Sequence, residues 1–258
     1  MKIASWNVNS IKVRLPRVLS WLKKESPDIL CLQELKGVEE QFPFSEFQAL
    51  GYHALVYGQK TYNGVAILSR LPGTQQALGL SSSDNDPQAR FIAASFGKVH
   101  VISAYIPNGS EVGSDKYAYK LDWYRRLNEH LNEHYNKNDM VLLCGDFNVA
   151  PSDLDVKNLD AWNSSVLCHE DARGAFQRVL DWGFVDTFRE QEPEAELYSW
   201  WDYRRLGFQR NDGLRIDFVL ATQPLVKKLE KAWIDRDERK GDKPSDHVPV
   251  LAEFDIKL

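Results

Sequence analysis

Short apolar runs that end on polar residues recur along this chain. Residues 2–6 read as a strand closing on Asn7-Val8-Asn9-Ser10, and residues 29–32 as a buried strand closing on Gln33-Glu34-Leu35-Lys36. Between them Leu15, Val18, Leu19 and Leu22 recur at helical spacing. They predict an amphipathic helix over 15–25, with Pro16 near its start and Ser26-Pro27-Asp28 ending it. A short helical segment is expected near 44–50. Strands at 53–57 and 64–69 are joined through the turn-rich 58–63, a loop follows at 81–87, and Gly97 divides a second hairpin, 91–96 with 98–105. A long helix is expected over 115–137 with Tyr117, Leu121, Tyr124, Leu127 and Leu131 as its apolar stripe. The buried strand Met140–Leu143 leads to Asp146 and Asn148. Beyond it come a polar loop over 151–160, a helix around Ala175, Phe176, Val179 and Leu180, a strand over 214–220 with Asp217 inside it, and a closing strand over 250–254. Mixed hairpins and strand–helix units exclude a regular parallel βαβ array. Strand, polar end, helix, then hairpins occurs twice, which suggests two similar halves packed together within one domain spanning 1–258.

The polar ends carry the chemistry. They hold Asn7 and Asn9, Glu34, Tyr105 and Asn108, Asp146 and Asn148, Asp217, and Asp246 with His247. Residues two apart on an extended chain face the same side, so Asp146 and Asn148 can share a cavity. Each alone has an ordinary reading, an Asx turn or a solvated acid. Four acids, several amides and one histidine at the ends of separate strands need a common reason, because burying an unpaired charge is costly. An oxygen-rich set free of thiolate suits Mg²⁺, with Mn²⁺ as substitute. A lone histidine with no second His or Cys argues against zinc. His247 beside an acid suits proton or phosphate handling.

Composition narrows this only a little. Of 258 residues 43% are hydrophobic, enough for a large core, and the net charge of −5 does not advertise nucleic-acid binding. Any docking on DNA must then depend on placed contacts. Three cysteines, Cys31, Cys144 and Cys168, fit no zinc spacing and point to a reducing, cytoplasmic setting. No leader and no membrane-length apolar run is read, and a monomer is expected.

Eight blocks carry a resemblance to the exonuclease III class of abasic-site endonucleases, within the endonuclease/exonuclease/phosphatase superfamily that also includes DNase I. They are Ser-Trp-Asn-Val-Asn9, Leu-Gln-Glu-Leu-Lys36, Tyr-Asn-Gly-Val-Ala66, Tyr-Ile-Pro-Asn-Gly109, Gly-Asp-Phe-Asn148, Trp-Trp-Asp-Tyr203, Gly-Leu-Arg-Ile-Asp217 and Ser-Asp-His-Val-Pro249, in the family's order over essentially the whole chain. The resemblance implies a four-layer α/β sandwich, two packed mixed β-sheets flanked by helices. It implies Glu34 as principal metal ligand, with Asn7, Asn9 and Asp246 near the same ion. Asp146 and Asn148 handle the attacking water, and His247, held by Asp217, contacts the scissile phosphate. Tyr105, Asn108 and Lys36 lie on the phosphate side. Trp200, Leu214 and Ile216 wall a pocket for a bare sugar, although Ile216 and Asp217 alternate and should face opposite sides. Arg204, Arg205 and Arg210 are candidate backbone contacts. Asn9 stands where some relatives carry Asp, Ser10 where Gly is frequent, and Trp201 where many bacterial relatives have Phe. With no N-terminal extension the chain resembles prokaryotic-type members. The expected activity is Mg²⁺-dependent cleavage of double-stranded DNA 5′ to abasic sites, leaving a 3′-hydroxyl, with trimming of blocked 3′ ends and 3′→5′ exonuclease activity beside it. Alternatives are a less specific superfamily DNase or phosphatase, and a non-catalytic DNA-binding scaffold.

Overall fold

The computed structural model describes residues 1–80, 86–193 and 196–258, so most of the loop expected at 81–87 lies outside the described residues. The strands are β1 (Lys2–Asn7), β2 (Ile29–Gln33), β3 (His53–Tyr57), β4 (Val65–Ser69), β5 (Thr74–Leu78), β6 (Phe91–Phe96), β7 (Val99–Tyr105), β8 (Met140–Asp146), β9 (Phe184–Asp186), β10 (Asp217–Thr222), β11 (Leu229–Ile234) and β12 (Val250–Phe254). They form two six-stranded sheets, ordered β11-β12-β1-β2-β4-β3 and β5-β6-β7-β8-β10-β9. Each sheet has one parallel pair, β1 with β2 and β7 with β8, and is otherwise antiparallel. A helix makes each parallel crossover: α1 (Ile11–Glu25) in the first sheet and, after the short α2 (Phe44–Gln48), α3 (Asp115–His134) in the second. The two similar halves expected from the sequence are these two sheets.

Three apolar layers separate the four structural ones. Ile3, Ile29, Cys31 and Ile67 from one sheet meet Ile92, Val101, Leu142, Cys144 and Val219 from the other. The alternate residues Ala4, Trp6, Leu30 and Leu32 face outward and pack with Val18, Trp21 and Leu22 of α1 and Phe47 of α2. Ile102, Ala104, Val141, Leu143 and Leu220 pack against Trp123, Tyr124 and Leu127 of α3 and Phe176 of α5 (Glu170–Asp181), which α4 (Leu159–Trp162) precedes. Among the described residues no helix is long and apolar enough to cross a membrane.

Several boundaries differ from expectation. Helix α1 begins at Ile11, because the amides of Ser10 and Ile11 bond to the carbonyls of Glu34 and Leu35 and fix the first turn against the end of β2. Pro16 therefore sits inside the helix. It is tolerated because it and Lys12, whose carbonyl loses its helical partner, both lie on the solvent face. Strand β10 begins at Asp217, not 214, α3 stops at His134, and the loop over 151–160 contains helical turns. Strands β5, β9 and β11 were not expected. The first is a polar, largely exposed edge strand, the second has three residues, and the third has its alternation broken by a register shift between Leu229 and Lys231.

Candidate active site

Strand periodicity builds the site. The inward-facing series of the central strands read Ile3-Ser5-Asn7, Ile29-Cys31-Gln33, Val101-Ser103-Tyr105 and Leu142-Cys144-Asp146, while β10 opens on Asp217 ahead of Val219 and Ala221. Each is apolar in the inter-sheet layer and turns polar at one end. Register aligns them: Asn7 pairs Gln33, and Asp146 pairs both Tyr105 and Asp217. A buried tie of Gln33 Nε2 to Ser5 Oγ and to Ser103 Oγ, each at 3.1 Å, joins the two sheets directly beneath this end.

Glu34 follows β2 in a left-handed turn, with φ of 54°. Its Oε1 accepts from Asn7 Nδ2 at 2.9 Å and Tyr105 Oη at 2.8 Å, and its Oε2 lies 2.9 Å from Lys36 Nζ. Burial pushes Glu34 up, but Lys36 and the Asn7 amide outweigh it and hold the carboxyl below its ordinary value. Asn7 Nδ2 also donates to Asp146 Oδ2 at 3.0 Å, so one amide bridges carboxylates from opposite sheets. Its own Oδ1 accepts from the Asn9 amide at 3.0 Å.

Asp146 accepts from the Asn148 amide at 2.9 Å, and Asn148 Oδ1 accepts from Asn108 Nδ2 at 2.9 Å. Burial pushes the Asp146 carboxyl up to about 7, with the charges of Asp217 and Glu34 adding to the rise against His247. His247 Nδ1 lies 2.9 and 3.1 Å from the oxygens of Asp217, and its Nε2 lies 3.7 Å from Asp146 Oδ2. Burial alone would lower the imidazolium, yet Asp217 and Asp146 raise it to about 10. The two carboxylates thus favour the charged ring, clamped at one nitrogen and presented at the other. Asp246 Oδ1 accepts from Asn9 Nδ2 at 2.8 Å and Oδ2 from Trp200 Nε1 at 3.0 Å, while Lys36 Nζ reaches Asn9 Oδ1 at 2.5 Å.

Ligand atoms of Glu34, Asp146 and His247 all lie within 4.8 Å of one another. Asn7 Nδ2 donates to both neighbouring carboxylates, and the groups here that fit a cation are the carboxylates of Glu34 and Asp146. Their hard oxygens suit a divalent ion of the Mg²⁺ or Mn²⁺ kind.

Most of the residues singled out from the sequence converge here: Asn7, Asn9, Glu34, Lys36, Tyr105, Asn108, Asp146, Asn148, Trp200, Asp217, Asp246 and His247 are linked through the contacts above. Leu214 and Ile216 are instead fully buried in the layer under α3 and α5. Ile216 does face away from Asp217, and the Ser199 hydroxyl accepts both their amides where the strand is not yet regular. Trp200 stays partly open, 6.4 Å from the His247 ring and 5.5 Å from Trp162. The Arg204 side chain is 84% exposed and paired with Asp202 at 2.7 Å. Reasoning from sequence missed Lys120, a wholly buried ammonium on α3. It donates to the carbonyls of Asn148 at 2.7 Å, Val166 at 2.6 Å and Asn108 at 3.2 Å. A lysine inside the apolar stripe of a helix was the available signal.

The chain is 36% identical to exodeoxyribonuclease III of Haemophilus influenzae, covering 98% of this chain and all of that protein. Among solved structures it is similar to an AP endonuclease from Archaeoglobus fulgidus (41% identity, TM-score 0.96) and to the 3′ phosphatase NExo from Neisseria bound to product DNA hairpin (42% identity, TM-score 0.94). Each match covers 99% of this chain and 100% of the other. Residues 4–247 match the model of the Endonuclease/Exonuclease/phosphatase family, and the chain belongs to that family.

Proposed function

We propose that this protein is a divalent-metal-dependent DNA phosphodiesterase that cuts duplex DNA 5′ to an abasic site and leaves a 3′-hydroxyl. One observation carries the reading: a carboxylate pair bridged by Asn7 stands beside an imidazolium clamped by Asp217, at the open end of two sheets. Similarity over the full chain to exodeoxyribonuclease III and to an AP endonuclease supports it.

Glu34 and Asp146 would hold Mg²⁺, or Mn²⁺ in its place, while the Asn7 amide links the two carboxylates. Such an ion supplies neutralisation of charge on the phosphate and leaving oxygens. The protein's own groups do the rest. Asp146 and Asn148 hold the attacking water in line. His247 donates from Nε2 to a non-bridging oxygen while Asp217 keeps its proton in place. The Tyr105 hydroxyl and the Asn108 amide fix the phosphate as charge builds on it. Asp246 and Asn9, expected near the ion, bond to each other and to Trp200 and Lys36, and on this reading they buttress the far side. Trp200, with Leu214 and Ile216 beneath it, forms the wall against which an extruded sugar rests, and Arg204 contacts the backbone. The enzyme acts as a monomer on this reading. Removal of 3′ phosphates is a second reading, favoured by the 42% identity to NExo.

The test is cleavage of a duplex with one abasic analogue, with Mg²⁺ or with EDTA, by wild type and Glu34→Ala, beside a duplex carrying a 3′ phosphate. Expected are cleavage at the analogue with Mg²⁺, none in EDTA, and a loss of at least a hundredfold in Glu34→Ala. Equal cutting of undamaged duplex sinks lesion specificity, activity in EDTA sinks the metal, and action on the 3′ phosphate alone selects the second reading.

A further inference from the structure

We propose that Arg236, Arg239 and Lys240 form an anion pocket that seats a backbone phosphate of the DNA substrate, apart from the groups that act on the scissile phosphate. The proposal rests on the nuclease reading above. A cavity of about 680 Å³ is lined by these three residues with Phe208, Gly241 and Pro244. Its guanidinium groups are held on aromatic faces. Arg236 lies 4.3 Å from the ring centroid of Phe208 and 5.5 Å from that of Trp201, and Arg239 lies 4.8 Å from Tyr203 and 5.6 Å from Phe208.

Among the described residues neither guanidinium has a carboxylate within ion-pair distance. Arg239 is only 8% exposed, donates to the Trp201 carbonyl at 3.2 Å, and has a buried Nε with no acceptor. Arg236 has only the Asn211 side-chain oxygen at 3.4 Å. The neighbouring acids are engaged elsewhere: Glu238 with Arg17, Asp235 with Trp21 and Lys24, Asp237 with Lys240, and Asp202 with Arg204. Two like charges sharing one ring repel. Among the described residues no carboxylate pairs with either, in a chain whose net charge is −5. A group from outside is the natural counter-charge, and the partly exposed fork of Arg236 matches phosphate oxygens, with Arg239 adding charge from beneath.

Position selects DNA as the source. Pro244 in the cavity wall directly precedes Ser245, Asp246 and His247. Tyr203 Oη, under Arg239, donates to the Pro244 carbonyl at 2.8 Å, and Arg14 reaches both at 2.7 and 3.1 Å. The pocket and the catalytic loop are therefore one hydrogen-bonded unit. A strand held at His247 has neighbouring phosphates to offer on that side.

The experiment is fluorescence anisotropy of an abasic-analogue duplex, and of the same duplex undamaged, against salt concentration in EDTA. It compares wild type, Arg236→Gln, Arg236→Gln with Lys240→Gln, Arg239→Lys, and Lys98→Gln at the far hairpin as control. Arg236→Gln is expected to weaken both duplexes alike, about three- to tenfold, and to flatten the salt slope by about one. The double variant goes further, and Lys98→Gln matches wild type. Unchanged affinity and slope in folded Arg236→Gln and Arg239→Lys overturn the proposal. So does orthophosphate that raises the Tm of wild type and not of Arg236→Gln while duplex slopes stay equal, because the pocket then serves free phosphate. Wild type that binds with the expected slopes but fails to cleave sinks the nuclease reading instead, and cleaving wild type with equal slopes sinks only the pocket.

Discussion

Lys120 shows how a residue far from the reacting atoms governs those near them. Its three N–H bonds go to three backbone carbonyls, two of them belonging to Asn108 and Asn148, whose amides meet at 2.9 Å in the site. Burial pushes the ammonium down to about 7, and the carbonyl acceptors are what the group has in exchange for water. Lys120→Met keeps the stem and removes all three donors. The expected cost is about 3 kcal/mol, near 1 kcal/mol for each stranded carbonyl, together with a fall in kcat as the two asparagine loops loosen. Urea unfolding and single-turnover cleavage check the two effects separately, and a variant as stable and active as wild type refutes the role.

Strand β8 carries its own constraint. A side chain at Gly145 would overlap the carbonyl oxygen of Ala104 on the parallel neighbour β7, where Ala104 pairs Gly145 and Tyr105 pairs Asp146. Gly145→Ala must therefore part the two strands next to the residues that build the site. Expected are a cost of at least about 2 kcal/mol by analogy with overpacked cores and loss of most cleavage activity; retention of wild-type Tm and activity would refute this. That Gly145 is needed was not legible from the apolar run before it, since close approach depends on a partner strand remote in sequence. What was legible had strong local signals. Asn7, Glu34 and Asp146 follow buried runs, and alternation along β1 and β8 carries the inner face on to Asn7 and Asp146, whereas Glu34 reaches the site only through its left-handed turn. The strands that went unseen lacked such a signal. Thr74–Leu78 lies on an edge with no face to bury, and Leu229–Ile234 has its period broken by the register shift. Lys120 and Gln33 are a different case: each is a visible polar break where the pattern says core, and only the tertiary partners explain it.

At the β9 edge of the second sheet lies a buried ionic cluster. Arg215 is bound to Asp155 at 2.7 Å and Asp186 at 2.6 Å, and Arg189 adds to Asp155 at 2.6 Å. It fastens the loop after β8, the end of β9 and the approach to β10, three segments that touch the site only indirectly. Burial pushes Asp155 up, but Arg215 and Arg189 outweigh it and hold the carboxyl below the usual range. A depressed carboxylate lends stability that is complete above its unfolded value of about 4 and is lost as the pH falls through the lower, folded one. Arg215→Met is expected to cost about 3–5 kcal/mol at neutral pH, because it strands buried charge. It should also flatten the fall of Tm below about pH 4 that is expected of wild type. Parallel Tm–pH curves refute the assignment.

The bridge of Asn7 between Glu34 and Asp146 has a consequence for how a cell can make such a protein safely. Glu34 and Asn7 belong to one sheet, and Tyr105, Asp146 and Asp217 to the other. A chain on which only the first sheet has formed holds neither Asp146 nor Asp217, and the second sheet alone holds no Glu34. If these residues carry the roles proposed for them, a half-made molecule is expected not to cut DNA, and docking of the sheets is also the step that arms the enzyme.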